Sequence, residues 1–193
     1  MGQLGMLAAQ ALYLFSPLLA AAGLAGLVQR YDLWRCFKRP IDGGATLGGR
    51  RVFGDNKTWR GVVCAVAGCV AAVATQKYLV GAHAGGLSVI DYAKVNPFTL
   101  GASLGLGAIV GELPNSFVKR RLAIAPGGGA PGILKPVFYL WDQVDVLTTT
   151  WPFLLPWVWP GWPLVLTSFV LTPAIHQFLS LAGYLIGARR QAV

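Results

Sequence analysis

The stretch that decides the fold class is 1–29, which reads MGQLGMLAAQALYLFSPLLAAAGLAGLVQ and contains no charged residue. A second uncharged stretch runs from 146 to 188, near the other end of the chain. Both are longer than the roughly 20 apolar residues that cross a bilayer as a helix. The two stretches therefore predict an integral membrane protein.

The composition agrees with that prediction. Of the 193 residues, 55% are hydrophobic and only 12% are charged, about half the charged fraction of an ordinary soluble domain. The length favours a single domain over residues 1–193. A net charge of +9 is a feature of many nucleic-acid binders, but here the bases alternate with uncharged stretches. We therefore expect no nucleic-acid partner.

Five apolar segments predict an all-α, polytopic fold with about five transmembrane helices. They cover 6–28, 62–80, 98–118, a segment beginning near Pro136, and about 164–187. The stretch 151–162 contains prolines that argue against a regular helix and four tryptophans typical of a membrane interface. Glycines in the third segment form small-xxx-small pairs, which predict close helix contacts and a central position for that helix. They are Gly101, Gly105, Gly107 and Gly111.

The basic residues predict the orientation. Eight of the sixteen Lys and Arg residues lie in 30–60, four in 119–135 and two at Arg189 and Arg190, which together make fourteen. The connections that alternate with these contain only Lys94. By the positive-inside rule, the N-terminus faces out, and the two basic loops and the C-terminus face the cytoplasm. We expect a multi-pass protein of the cell membrane with its site on the cytoplasmic side.

Three carboxylates lie in apolar segments, near the predicted cytoplasmic ends of the third and fourth helices. Asp142 and Asp145 are three residues apart, which places them on one helix face, and Glu112 lies in the glycine-rich third segment. An ionisable group at a helix centre costs about 2.5–3.5 kcal/mol to insert. One interpretation is pairing with nearby bases at 119, 120 or 135. The favoured one is a Mg²⁺ site, since Mg²⁺ takes carboxylate and phosphate oxygens.

The basic connection 30–60 has the composition of a phosphate-binding loop. Glycines allow backbone N–H groups to approach an anion, and Lys or Arg side chains supply charge-assisted hydrogen bonds. A loop that only touches anionic lipid head groups is the alternative. The interspersed Asp42, Asp55 and Asn56 favour the phosphate site. With the bases at 119–121, two basic loops and three carboxylates converge on one membrane face, as a polyphosphate–metal site requires.

Four short blocks between residues 40 and 145 contain most of the polar and charged residues singled out above. They are Pro40-Ile-Asp42-Gly43-Gly44, Phe53-Gly-Asp55-Asn56-Lys57-Thr58-Trp59-Arg60-Gly61, Gly111-Glu112-Leu-Pro-Asn115-Ser116-Phe-Val-Lys119-Arg120-Arg121 and Asp142-Gln-Val-Asp145. In this order, they resemble the CDP-archaeol synthase family. A wider similarity reaches CDP-diacylglycerol synthases, through Ser116-x-x-Lys119-Arg120 followed by an Asp-x-x-Asp pair.

The resemblance implies an activity: cytidylyl transfer from CTP to a phosphatidic-acid-type membrane lipid with Mg²⁺, giving CDP-lipid and pyrophosphate. It implies metal binding by Asp142 and Asp145, to which the intramembrane position adds Glu112. It implies catalytic phosphate contacts from Lys57, Arg60, Lys119 and Arg120. The expected supporting residues around the substrates are Asp42, Gly43, Gly44, Asp55, Asn56, Thr58, Glu112, Asn115, Ser116 and Arg121.

The lipid acceptor is less closely defined than the nucleotide. An ether-linked isoprenoid acceptor, like 2,3-bis-O-geranylgeranylglycerol phosphate, is the first expectation. The stretch between 121 and 142 is longer and richer in glycine than the compact archaeal pattern, so a diacyl phosphatidic acid is the alternative. A transporter or a non-catalytic lipid-binding protein is the competing class. The sequence leaves the oligomeric state open, a homodimer included.

Overall fold

The computed structural model describes residues 2–82, 86–126 and 128–185. Its five helices are α1 (Gln3–Arg30), α2 (Trp59–Ala82), α3 (Pro97–Arg121), α4 (Leu134–Leu154) and α5 (Trp162–Leu185). The connection between α1 and α2 contains a short 3₁₀ helix, Arg35–Phe37, and a hairpin of β1 (Thr46–Leu47) and β2 (Arg50–Arg51). The helical fold is confirmed, and the hairpin is an addition that the apolar pattern does not predict.

The helices coincide with the five predicted segments, with two differences at their ends. α4 continues through Pro152 to Leu154, so the prediction that the proline-rich stretch is irregular from Trp151 onward is wrong. Trp151 explains this, because it is buried, donates from Nε1 to Ser168 Oγ at 3.1 Å, and packs edge-on against Phe15. The predicted end of the fifth segment and the basic tail, 186–193, lie outside the described residues.

Consecutive helices run antiparallel. Along α1 and α2, Tyr13 accepts a hydrogen bond from Gln76, whereas Pro17 accepts one from Cys69. The partner's number falls as the number along α1 rises. The same reversal relates α2 to α3, α3 to α4, and α4 to α5, and α5 closes the bundle against α1. Connections 31–58 and 122–133 therefore lie at one end of the bundle, which we call the basic end.

Helix α3 packs between α2 and α4 through its glycines, as predicted. A Cβ on Gly101 would lie 2.5 Å from the Cα of Val70, and one on Gly105 would lie 2.7 Å from the carbonyl oxygen of Ala65. Gly111 faces α4 with as little room, and a Cβ on Gly107 would lie 3.0 Å from the Cα of Thr150. Because a side chain would clash with or crowd a neighbouring helix at these four positions, the backbones of three helices come close together around α3.

Within the described residues, two helices are long and apolar enough to cross a membrane, Gln3–Arg30 and Trp59–Leu79. α3 and α4 carry the three carboxylates, and the apolar stretch found in α5, Trp162–Ile175, is shorter than a membrane span. The count of five membrane crossings therefore stays a prediction, whereas the five-helix architecture is confirmed.

Candidate functional site

Two carboxylates of α4 share one amide of α3. Asp142 and Asp145 lie on the same face of α4, as their spacing predicts. Asn115 Nδ2 donates to Asp142 Oδ1 at 2.5 Å and to Asp145 Oδ2 at 2.9 Å. Asp145 is buried and also accepts the N–H of Val146 at 2.8 Å. The close contact of the two helices at Gly111 brings these groups together.

Lysines neutralise two of the three carboxylates. Lys119 lies one turn beyond Asn115 on α3, and its Nζ is 2.5 and 2.7 Å from the two oxygens of Asp142. The ring of Phe138 lies beneath the same ammonium group, at 5.6 Å. Lys57, from the basic connection, pairs with Glu112 of α3. Pairing with a nearby base, the alternative to a metal site, is therefore realised for Asp142.

The polar atoms around Asn115 decide which residues could hold a metal. Among the described residues, no three or more His, Cys, Asp or Glu side chains form a metal-binding group. Glu112, the third predicted ligand, forms an ion pair with Lys57, and its role in holding a metal stays a prediction. Asn115 Oδ1 is buried and has no hydrogen-bond partner in the part of the chain that the structure describes. Two carboxylates and this amide oxygen remain as oxygen donors.

Asp42 organises the basic connection. Its side chain is only 1% exposed. Oδ1 accepts from Gly44 N at 3.1 Å and from Arg51 at 2.6 Å, and Oδ2 accepts from the N–H groups of Phe53 and Gly54 at 3.0 and 3.2 Å. Although burial opposes it, these bonds hold the pKa of Asp42 well below its usual value. The sequence predicts Asp42 beside the substrate; in the structure both of its oxygens accept hydrogen bonds from its own loop.

The glycines beside Asp42 serve the same loop. Gly43 and Gly44 have φ of +57° and +91°, a backbone conformation that side chains disfavour. This conformation turns the N–H of Gly44 back onto the Asp42 carboxylate. Gly43 and Gly44 therefore have a structural role in the loop, and their contact with substrate stays a prediction.

The base of this loop delivers Lys57 to the bundle. Ile41 N donates to the carbonyl of Lys57 at 2.8 Å, and Trp59 N donates to that of Arg39 at 2.9 Å. These two backbone hydrogen bonds join the two ends of the loop. Thr58 caps α2 by accepting the N–H of Gly61 at 3.3 Å. Lys57 therefore emerges at the first turn of α2, within reach of Glu112.

Arg60 and Arg121, both predicted to contact substrate, are committed elsewhere. Arg60 donates to Asp32 Oδ1 at 2.8 Å, beyond the end of α1. Hydrogen bonds from Arg60 and then Lys38 lower the pKa of Asp32 to about 2. Arg121 donates to the carbonyls of three hairpin residues and so holds the hairpin on the end of α3. These residues are Leu47, Arg50 and Arg51.

The remaining predicted residues differ in exposure. Asp55 is 73% exposed and pairs with Arg51 at 2.5 Å. Asn56 lies in the turn closed by Lys57 N donating to the carbonyl of Gly54 at 3.2 Å. Ser116 is buried beside Asn115 on α3. Of these three, only Ser116 lies on the helix that carries the carboxylate-binding amide.

A cleft of about 290 Å³ opens between the hairpin and the turn that follows α3. Arg50, Arg51 and Arg120 line it, together with Gly54 and Pro126. Arg120 was predicted as a site residue, whereas Arg50 and Arg51 were not. The sequence signal for Arg50 and Arg51 is two adjacent bases between the Gly48-Gly49 turn and Gly54.

Comparison with known proteins gives a consistent picture. The family described as CarS-like, CDP-archaeol synthase, matches residues 11–191. A CDP-archaeol synthase of Halobacterium salinarum is 39% identical over 154 residues, covering 78% of this chain and 81% of that protein. One from Methanosarcina barkeri is 32% identical over 170 residues, covering 79% and 89%. The solved structure of an intramembrane enzyme for archaeal membrane lipids biosynthesis superposes with a TM-score of 0.63 at 25% identity, over 88% of this chain and 91% of that one.

Proposed function

The chain belongs to the CDP-archaeol synthase family, and from this premise we propose that the polar groups of α3 and α4 at the basic end carry out its reaction. The protein is a membrane enzyme that transfers a cytidylyl group from CTP to an archaeal lipid phosphate. The observation that carries the proposal is Asn115. It joins Asp142 to Asp145 and keeps one buried amide oxygen without a partner among the described residues.

This arrangement fits Mg²⁺. Hard oxygen donors from one or two carboxylates, completed by substrate phosphates, are what Mg²⁺ takes in nucleotide sites. Asp142 and Asp145 supply the carboxylates, and Asn115 Oδ1 supplies a neutral oxygen that is otherwise orphaned. When bound, the ion would supply positive charge to the phosphate oxygens and orient them. Glu112 is left to hold Lys57.

The chain's own residues supply charge and position. In the reaction, an oxygen of the lipid phosphate forms a bond to the α-phosphorus of CTP. The bond from that phosphorus to the bridging oxygen breaks, and pyrophosphate leaves with the electron pair. Lys57 and Lys119 are ammonium donors at the mouth of the site, partly exposed and able to exchange a carboxylate for a phosphate oxygen. Such electrostatic stabilisation and positioning need no strong general base, because a phosphomonoester is already ionised near pH 7.

The two substrates approach from different phases. CTP enters from water at the basic end, which the positive-inside rule places in the cytoplasm, with the N-terminus outside and five membrane crossings. The lipid phosphate enters from the bilayer, where its head group lies level with the ends of α3 and α4. An ether-linked isoprenoid acceptor is the first choice from the family, and a diacyl phosphatidic acid is the second.

The test is incorporation of radiolabelled cytidine nucleotide into organic-extractable lipid. Purified protein in vesicles with Mg²⁺ receives each of the four nucleoside triphosphates, labelled on the α-phosphate, with either acceptor. We expect CTP-dependent product from the lipid phosphate and none from the dephosphorylated lipid.

Asn115→Asp and Asn115→Leu refine the assignment. Asn115→Asp keeps an oxygen ligand and should keep measurable activity. Asn115→Leu removes that ligand, so its turnover rate should fall by about two decades or more. Lys94→Gln, at the opposite end of the bundle, is the matched control. Equal rates for Asn115→Leu and Lys94→Gln would remove Asn115 from the site, and no labelled lipid from either acceptor would refute the catalytic assignment.

A further inference from the structure

Arg120 is a buried positive charge in the last turn of α3. Its residue is 7% exposed, and within the described ranges no carboxylate lies in ion-pair distance of it. One guanidinium nitrogen donates to the carbonyl of Ile124, and the buried Nε has no partner there. A buried charge that lacks a counter-charge is costly. An anion at this position would relieve the cost.

The surroundings of Arg120 are built as a cradle. Ala123 has φ of +59°, a strained conformation for a residue with a side chain, and this turn brings the Ile124 carbonyl back to Arg120. Across the cleft, Gly54 has φ of +100°, and a Cβ there would lie 3.4 Å from Arg120 Nε. The glycine thus keeps open the space that Nε faces.

Two more guanidinium groups line the same cleft. Arg51 is held by Asp42 at 2.6 Å and by Asp55 at 2.5 Å, and Arg50 is anchored to the end of α3 by donating to the Arg121 carbonyl. Three arginines against the two carboxylates of Asp42 and Asp55 leave a surplus of one positive charge around the cleft. Guanidinium groups recognise phosphate oxygens in a bidentate manner, so the chemistry indicates a phosphate-type anion.

We propose that Arg50, Arg51 and Arg120 form a pyrophosphate subsite, which holds the β- and γ-phosphates of the nucleotide and then the pyrophosphate leaving group. This inference rests on the proposed function. The cleft of about 290 Å³ is at the lower limit of small-molecule sites, so it suits a diphosphate and leaves the nucleoside outside.

The chain connects this subsite to the transfer site in two places. Lys119, which holds Asp142, immediately precedes Arg120, so their Cα atoms are about 3.8 Å apart. On the other side, one turn joins Gly54 of the cleft to Lys57. Successive residues of a helix project in different directions, so a triphosphate that spans the two sites would extend around the end of α3, from the cleft to the lysines. In this arrangement the cleft binds the pyrophosphate leaving group, while the cytidylyl transfer takes place beside the carboxylates.

Pyrophosphate and CMP discriminate between the parts of the site, because CMP lacks the phosphates that the cleft would bind. We compare wild type, Arg50→Gln and Arg120→Gln, with Arg35→Gln as a control that removes one exposed charge from the same connection. Arg50 is exposed and Arg120 is buried, so Arg50→Gln tests the inference even if Arg120→Gln fails to fold. The readouts are inhibition of lipid labelling and calorimetric titration of the purified protein with pyrophosphate and Mg²⁺.

The expected result is a loss of about tenfold or more in pyrophosphate affinity for Arg50→Gln, a similar rise in KM for CTP, and unchanged inhibition by CMP. Arg35→Gln should match wild type. Unchanged pyrophosphate affinity in Arg50→Gln, or an equal loss for CMP, would overturn the inference. Failure of wild type to label any lipid would instead refute the proposed function, and the titration would still decide whether the cleft binds pyrophosphate.

Discussion

Replacing Asp42 by Asn tests whether one buried carboxylate holds the arginine-bearing hairpin in place. The asparagine keeps the shape of the side chain, but its NH₂ group cannot accept the N–H groups of Phe53 and Gly54 that now bond to Oδ2 at 3.0 and 3.2 Å. A hydrogen bond to a charged group contributes about 1.5–3 kcal/mol. Taking the lower value for each of the two gives a loss of about 3 kcal/mol in the local stability of the loop.

That loss corresponds to roughly a hundredfold increase in the open population of the loop. Hydrogen exchange of the amides of Phe53 and Gly54, in protein held in nanodiscs, measures it directly. We expect exchange in Asp42→Asn to be about a hundredfold faster at these amides, while exchange in α3 stays unchanged. The KM for CTP should rise, because Arg50 and Arg51 are carried by the hairpin that opens.

Asp55→Asn is the matched control. It removes a carboxylate from the same loop and the same arginine, but Asp55 is 73% exposed, and exposed pairs contribute little. If the amides of Phe53 and Gly54 exchange as slowly in Asp42→Asn as in Asp55→Asn, the structural role assigned to Asp42 is wrong. The pKa of Asp42 lies below its usual 3.8, so the stability that it contributes is complete above that value and is lost only as the pH falls through the lower one. Wild-type protection of these amides, corrected for intrinsic exchange, should therefore be equal at pH 8 and pH 5.

Three further predictions concern the transfer site, the bundle and the orientation. Asp145→Asn should lower kcat by about two decades or more and change the Mg²⁺ concentration required, and near-normal turnover with an unaltered Mg²⁺ titration would contradict the assignment. Gly105→Ala should lower the melting temperature by several degrees, because its Cβ would lie 2.7 Å from a backbone oxygen of α2, whereas Gly26→Ala, with nothing within 4 Å, should not. Cys36 is exposed, while the other two cysteines are buried, so an impermeant maleimide should label it only from the cytoplasmic side. Labelling of Cys36 from outside intact cells would contradict the predicted orientation.

The apolar pattern was sufficient for the helical architecture. Each of the five segments is long, and burying or embedding an apolar surface of that length depends on composition more than on particular partners. The four glycines of α3 could be interpreted for the same reason, since a missing side chain permits close approach whichever helix the neighbour is. Only the end of α4 went wrong, because the packing of Trp151 outweighed the local effect of Pro152.

The pairing of charges in the candidate site depends on the tertiary structure more than on the sequence pattern. Sequence motifs brought Asp142, Asp145, Asn115 and the lysines into one prediction, and the structure places them together. The sequence motifs do not determine which base pairs with which acid. Arg60 pairs with Asp32 across a loop, and Glu112 is taken by Lys57 rather than joining the α4 carboxylates. Charge attraction is non-specific along a sequence, so geometry selects the partners.

What the sequence by itself determined was therefore the membrane class, the helix count, the central helix and the end of the bundle at which the basic connections lie, because each depends on composition summed over many residues. Only the tertiary structure decided that Asp42 and Arg121 build the hairpin, and that Arg50 and Arg51 face Arg120 across a cleft. The contacts of Asp42 join residues up to 12 positions apart, and those between Arg50 and Arg121 join residues 71 positions apart. Hydrogen bonds of about 3 Å form only where folding brings a particular donor to a particular acceptor.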